Sequence, residues 1–245
     1  MDDRRPKSQN LRVAFLALAL ATCATAAAGE TAELGRHCEE ALAKAAAPAD
    51  KEWCFGVVAD PHIYMYAWSD LGLARCLRGW SAAKARFGMV VGDLGTGENL
   101  QADGPAAPGS QPIRTKQTDK FAKTISSATD CPPVFLSMGN HEMDGDGKRS
   151  WLEAMFPGST PRIEGNGNDR YFYYSFNYRG CHFVCLDANR TVDKKQQLGM
   201  LPEEELTWLE QDLAANRGKL TFVFLHEPIE QHGYLRDIQL SWDEP

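Results

Sequence analysis

The chain lacks several features that would define other classes of protein. It has no excess of basic residues, since 26 lysines and arginines stand against 33 aspartates and glutamates, so no nucleic-acid platform is evident. It contains no Cys-x-x-Cys pair, which argues against a structural zinc centre built on thiolates. It shows no internal repeat, and its ordinary content of hydrophobic (43%) and charged (24%) residues excludes a disordered, collagen-like or coiled-coil chain.

The N-terminus has the order of a secretory signal peptide. A polar, basic stretch (1–12) precedes an apolar run (13–21), and small residues ending at Ala28 follow. The apolar run is too short to span a bilayer, so we expect no transmembrane span in the mature chain. We predict cleavage after Ala28 and a periplasmic or secreted protein, with a lipoprotein anchored at Cys23 as the alternative.

Helical and strand-like segments alternate along the rest of the chain. Helices are expected at 31–47, 71–85, 115–129, 148–156 and 202–215, and strands at 53–59, 87–91, 134–138, 171–177, 181–186 and 220–225. The two strands within 171–186 form a hairpin, which a purely parallel sheet would not contain. The pattern therefore predicts an α/β fold with mixed sheets.

Four of the apolar runs end on residues that can bind a metal ion. They lead into Asp60-Pro61-His62, Gly92-Asp93, Gly139-Asn140-His141-Glu142 and His226-Glu227-Pro228. Ligands bind beyond the carboxyl ends of strands in open α/β sheets, so we expect these side chains to converge. Carboxylate and amide oxygens together with imidazoles suit manganese, iron or zinc.

Taken singly, these residues have simpler interpretations. Asp60 and Asp93 suit turns or helix caps, and His226 suits a hydrogen-bonded core position. The joint pattern overturns these readings, because burying so many polar groups together without a metal would be costly. Asp93 is the candidate to bridge two ions, and Gly92 and Gly139 would let the backbone turn sharply and approach closely.

In this order the motifs resemble those of the calcineurin-like metallophosphoesterases. The motifs that carry the resemblance are Asp60-x-His62, Gly92-Asp93, Gly139-Asn140-His141-Glu142 and His226. It spans about residues 53–228. The resemblance implies a four-layer α/β/β/α sandwich with mixed sheets and a dinuclear centre of two divalent or trivalent metal ions.

The resemblance also implies a role for each candidate residue at that centre. Asp60 and His62 would hold one ion, Asn140 and His226 would hold the other, and Asp93 would bridge them.

The implied activity is hydrolysis of small phosphate mono- or diesters. A metal-bound hydroxide would attack phosphorus in line, and His141 would protonate the leaving group as general acid. The competing hypothesis is a non-catalytic exported binding domain that keeps the fold and a degenerate metal site.

Two departures from the family pattern accompany the resemblance. The family normally completes its site with Gly-His-x-His, whereas only His232-Gly233, with the letters reversed, follows His226. Asp93 is also followed by Leu94-Gly95 and lacks the nearby tyrosine of purple acid phosphatases, so we expect no iron–tyrosinate site.

The missing motif leads to a prediction about domain organisation. We expect a signal peptide (1–28), an N-terminal helical segment (29–52) and a phosphoesterase domain (53–245) that is incomplete at its C-terminus.

Three further polar residues receive interpretations outside the motifs. Lys148 starts a predicted helix. Its side chain has two alternative interpretations, a solvated position and a contact with substrate phosphate. Asp187 follows a strand and is interpreted as a turn residue, and His182 as a structural residue within that strand.

Overall fold

The computed structural model describes most of the region between the two ends of the chain. The described residues are 30–45, 52–63, 69–95, 113–143, 147–156, 158, 172–192, 195–197, 199 and 201–227. The predicted signal peptide, the alternative anchor at Cys23 and the predicted C-terminal truncation concern residues outside this set. Within it, no helix has both the length and the apolar character that crossing a bilayer requires.

Three parallel strands form the first sheet. They are β1 (Gly56–Ala59), β2 (Gly88–Val91) and β3 (Val134–Ser137), in the order β1-β2-β3. The register pairs Ala59 with Val91 and Val91 with Ser137. Because the three strands end level, the residues that follow them meet at one edge of the sheet, as the sequence predicts.

Helices cover the outer face of this sheet. These are α2 (Ser69–Ala82), α3 (Ile113–Ser126) and α4 (Gly147–Met155); the first helix of the chain, α1 (30–44), lies elsewhere. Trp80 of α2 lies flat against β1 and β2, where a Cβ atom on Gly56 or Gly88 would come within 2.0 Å of its ring. The α4 helix packs on β3, and α3 contacts both α2 and α4.

The second sheet is mixed. It begins with an antiparallel hairpin of β4 (Tyr174–Tyr178) and β5 (Cys181–Cys185). The next two strands, β6 (Arg190–Val192) and β7 (Lys195–Gln197), form a separate antiparallel pair. Helix α5 (Glu203–Ala215) leads to β8 (Leu220–Phe224), which pairs parallel to β5. The sequence patterning did not predict the β6–β7 pair, whereas every predicted helix and strand is present with somewhat different ends.

Aromatic side chains from both sheets form the core between them. Phe55 and Phe87, each directly before a strand of the first sheet, stack with their ring centroids 5.2 Å apart, and Phe183 of the second sheet meets Phe87 edge-on at 5.0 Å. Phe222 stacks on Phe183 at 5.2 Å. The two sheets therefore pack face to face.

Helix α5 covers the outer face of the second sheet and completes the α/β/β/α layering. Its Asp212 accepts a hydrogen bond from Ser175 Oγ at 2.8 Å and lies 2.5 Å from His182 Nε2. His182 is fully buried and thus has the structural role expected from the sequence. Helix α1 lies along the edge strand β4, where Glu39 accepts the backbone N–H of Asn177 at 2.8 Å.

The six cysteines of the described residues form no disulfide. Cys38 and Cys185 are buried, Cys54 is exposed, and Cys76, Cys131 and Cys181 are half-buried. All six are therefore free thiols in this structure.

Candidate metal centre

Asp93 lies at the centre of a cluster of imidazoles at the carboxyl edge of the first sheet. Its carboxylate is buried, and Oδ1 lies 3.3 Å from Nε2 of His226. Oδ2 lies 3.6 Å from Nε2 of His62 and 3.7 Å from Nε2 of His141. Rings from three different loops thus face the two oxygens of one carboxylate.

The donor atoms fall into two groups that share Asp93. One group contains His62, Asp93 and His141, and the other contains Asp60, Asp93 and His226; within each group the donor atoms lie within 4.8 Å of one another. Asp60 Oδ1 also lies 3.9 Å from His62 Nε2. The structure therefore brings all these residues together, while the division between two ions that the resemblance implies stays a prediction.

Asn140 and His141 lie in the loop that follows β3. Residues Asn140–Met143 form a single 3-10 turn, and the backbone N–H of His141 donates to Asp93 Oδ1 at 3.1 Å. Asn140 is half-buried at the start of this turn. The place of Asn140 as a ligand and that of His141 at the leaving group both stay predictions.

Three of the candidate ligands have a left-handed backbone. The φ angles are 53° at Asp60, 43° at His62 and 46° at Asp93, a region that costs a non-glycine residue about 1–3 kcal/mol. Hydrogen bonds between the loops after β1 and β2 hold this conformation: the N–H of Asp60 donates to Gly92 O at 3.3 Å and that of His62 to Asp93 O at 3.0 Å. The site is therefore held in a strained, preorganised shape.

Two glycines allow the loops to approach this closely. A Cβ atom on Gly139 would lie 2.4 Å from the backbone nitrogen of Asp93, and one on Gly92, whose φ is 63°, would lie 2.3 Å from the ring of His226. This confirms the close approach expected from the sequence.

Glu142 ties two of the loops together, a role that the sequence reasoning did not assign. Its buried Oε1 accepts the N–H groups of Leu94 (2.8 Å) and Gly95 (3.2 Å), and Oε2 accepts the N–H of Gly139 (2.8 Å). Burial and the charge of Asp93 raise its pKa to about 7. The sequence signal for this role was the position of Glu142 as the last residue of the Gly-Asn-His-Glu motif.

The charges within the cluster couple metal binding to the release of a proton. Burial lowers the pKa of His226, but the hydrogen bond to Asp93 and the negative charge there outweigh it and raise the value to about 9. Burial raises the pKa of Asp93, while His226 and His141 hold it below its ordinary value. An ion must therefore displace a proton from His226, so metal binding is expected to strengthen as the pH rises.

The donor set fits divalent metal ions. Carboxylate oxygens and imidazole nitrogens are the ligands that zinc, manganese and iron accept, and here they converge on a buried carboxylate with its neighbours already oriented.

Outside the cluster, the interpretation of Lys148 is wrong and that of Asp187 is incomplete. Lys148 is fully buried and donates to Asp187, so it is neither solvated nor available to substrate phosphate. Asp187 is fully buried, and its Oδ1 accepts the N–H of Asn189 two residues on at 3.1 Å, as in an Asx turn, while Oδ2 accepts the N–H of Phe172 at 2.5 Å; its turn role is therefore joined by contacts that the sequence did not reveal. Their sequence positions did not reveal that both side chains face inward.

Comparison with known proteins gives three findings. The family profile described as calcineurin-like phosphoesterase matches residues 55–243. Purple acid phosphatase 15 of Arabidopsis thaliana is 30% identical over 96 residues, which are 39% of this chain and only 17% of the plant protein. The crystal structure of a dimetal phosphatase from Danio rerio has a TM-score of 0.50 at 18% identity, covering 74% of this chain and 71% of that one, and bears on the fold alone.

Proposed function

This chain belongs to the calcineurin-like phosphoesterase family, and on that basis we propose that it hydrolyses small phosphate mono- or diesters at a centre of two metal ions. The observation that carries the proposal is the position of Asp93. One of its oxygens faces His226, and the other faces His62 and His141. A buried carboxylate whose two oxygens face different imidazoles is what a dinuclear centre requires.

The ligands that we propose are Asp60 and His62 for one ion, Asn140 and His226 for the other, and Asp93 between them. Bound ions would lower the pKa of water, neutralise phosphoryl oxygens and orient the attack. The chain supplies the preorganisation, because the strained loops and the close contacts at the glycines leave the donors little freedom to move.

His141 is the proposed general acid. Its side chain is 36% exposed, against 20% for His62 and 12% for His226, so it is the imidazole of the cluster most accessible to a substrate. Nε2 of His141 would hold a proton and donate it to the leaving oxygen. The backbone hydrogen bond from His141 to Asp93 holds the main chain of His141 next to the proposed centre.

Export is a further part of the proposal, supported by the basic, apolar and small-residue order of residues 1–28. Fractionation of cells that express the full chain tests it: we expect a product cleaved after Ala28 outside the cytoplasm. An uncleaved cytoplasmic product would contradict export, and a lipid-modified one would support the anchor at Cys23.

The activity is tested with purified protein and chromogenic esters. We expect hydrolysis of para-nitrophenyl phosphate or its diester to require added Mn²⁺, to stop with a chelator and to return when Mn²⁺ is restored. Asp93→Asn should abolish it, whereas Asp130→Asn should not, because Asp130 shares the left-handed backbone (φ 54°) but is an exposed turn residue. A folded, metal-loaded chain without turnover on either ester would favour the non-catalytic alternative.

A further inference from the structure

A network of buried polar side chains lies where β5 and β8 end. Lys148, Asp187, Asn189 and Glu205 have no exposed surface, and Glu227 is half-buried beside them. The mechanism proposed above uses none of these residues.

The network joins the segments that follow the two strands. Lys148 donates to Asp187 Oδ2 and to the carbonyl oxygen of Asn189, and the N–H of Asn189 donates to Asp187 Oδ1 at 3.1 Å. The N–H of Leu186 donates to Phe224 O at 2.9 Å. The segment after β5 therefore runs beside the segment after β8 and is fixed by an ion pair.

One side-chain contact connects this network to the candidate metal centre. The amide nitrogen of Asn189 donates to Oε1 of Glu227, which directly follows His226 in the chain. His226 in turn lies 3.3 Å from Asp93. The segment that carries His226 is thus held through its ring on one side and through the next side chain on the other.

Stability alone does not account for this arrangement. Asn189 Oδ1, Glu227 Oε2 and Glu205 Oε2 are buried and have no hydrogen-bond partner among the described residues. Each such atom carries a desolvation cost, and well-packed apolar residues often replace buried ionic groups with a gain in stability. A network with this cost is better explained by the geometry that it imposes on its neighbours.

We propose that Asn189 and Glu227 are positioning residues for His226. The inference rests on the proposed function, since His226 is there a metal ligand. The backbone of Asn189 is itself held by contacts to Asp187 and Lys148, so the contact of its side-chain amide with Glu227 starts from an anchored main chain. Loss of the Asn189–Glu227 contact should weaken the ion near Asp93 and His226 and leave the ion near His62 largely intact.

The experiment compares Mn²⁺ binding by calorimetry in the full-length protein and in matched variants. Asn189→Ala and Glu227→Ala remove the contact, whereas Glu227→Gln keeps an oxygen that accepts from Asn189. Asn177→Ala is the control, because Asn177 also bonds two side chains, His182 at 3.1 Å and Lys219 at 2.8 Å, but at the opposite end of the β4–β5 hairpin. Thermal melting of the metal-free proteins reports folding.

We expect Asn189→Ala and Glu227→Ala to weaken one of two Mn²⁺ sites about 10- to 100-fold, the usual effect of removing a group that orients a ligand. Glu227→Gln and Asn177→Ala should stay within about twofold of the unaltered protein. If Asn189→Ala does not fold, the Glu227→Ala and Glu227→Gln pair gives the same comparison.

Two results would overturn the positioning role while leaving the proposed function intact. One is unaltered Mn²⁺ affinity in folded Asn189→Ala or Glu227→Ala; the other is a Glu227→Gln variant as impaired as Glu227→Ala. Failure of the unaltered protein to bind Mn²⁺ would instead overturn the proposed function, and the positioning role with it.

Discussion

Replacing Glu205 with glutamine is expected to stabilise the fold by an amount that grows with pH. Glu205 has no exposed surface, and its Oε1 accepts the backbone N–H of Asp187 at 2.9 Å. Burial raises its pKa from 4.5 to about 9. The N-terminal end of α5 favours the ionised form by at most about 2 kcal/mol, which burial outweighs, so the carboxyl is protonated in the folded chain at neutral pH.

The magnitude follows from the difference in bound protons. The unfolded chain loses this proton near pH 4.5, whereas the folded chain keeps it until about pH 9. Between these values the folded state binds one proton more, so the free energy of unfolding falls by about 1.4 kcal/mol per pH unit. This decrease in the free energy of unfolding is absent below pH 4.5 and reaches about 3 kcal/mol at pH 7.

Glutamine does not titrate, and its side-chain oxygen keeps the acceptor for Asp187. The protonated carboxyl and the amide each carry a hydrogen-bond donor on the atom that does not bond Asp187. The desolvation cost of burying that donor is therefore similar in the two proteins. The stability difference should therefore rise from below about 1 kcal/mol at pH 5 to about 5 kcal/mol at pH 8.

Urea unfolding of the two metal-free proteins, followed by tryptophan fluorescence from pH 5 to 8, measures this difference. Other titrating groups contribute equally to both proteins and cancel. A stability difference that does not change with pH would refute the reasoning, because Glu205 would then be ionised in the folded chain.

Three further predictions concern the candidate centre. Asp93→Asn should lose both metal ions together, and elemental analysis that finds two ions retained would rule out bridging. His141→Ala should lower kcat about 10²–10⁴-fold with metal content unchanged and with a smaller loss for a good leaving group; loss of an ion would instead make His141 a ligand. Gly139→Ala should weaken Mn²⁺ binding and lower the melting temperature, since its Cβ atom would lie 2.4 Å from Asp93 N; an unchanged melting temperature would contradict the close approach.

The centre could be predicted from the sequence because its signal is local. Each candidate ligand lies within a few residues of the end of an apolar run, and the level ends of the three parallel strands bring the residues that follow them to one edge. The glycines beside Asp93 and before Asn140 could likewise be assigned to close backbone approach, because no other residue type serves that purpose. The α/β fold followed from the same alternation of runs.

The buried network could not be predicted, because its signal is not local. Lys148 at a helix start and Asp187 after a strand are ordinary surface residues by position, and only the tertiary packing turns both inward. Glu205 likewise lies among Glu203 and Glu204 in the first turn of α5, where an exposed acid is the usual choice. The β6–β7 pair consists of two three-residue strands, too short to show a hydrophobic alternation.

The central claim is that Asp93 bridges two metal ions, and anomalous diffraction from crystals of the Mn²⁺-loaded protein tests it most directly. The account predicts two manganese peaks about 3.5–4 Å apart, with one Asp93 oxygen on each and with His226 and His62 on different ions. A single peak, or two peaks of which only one contacts Asp93, would contradict it.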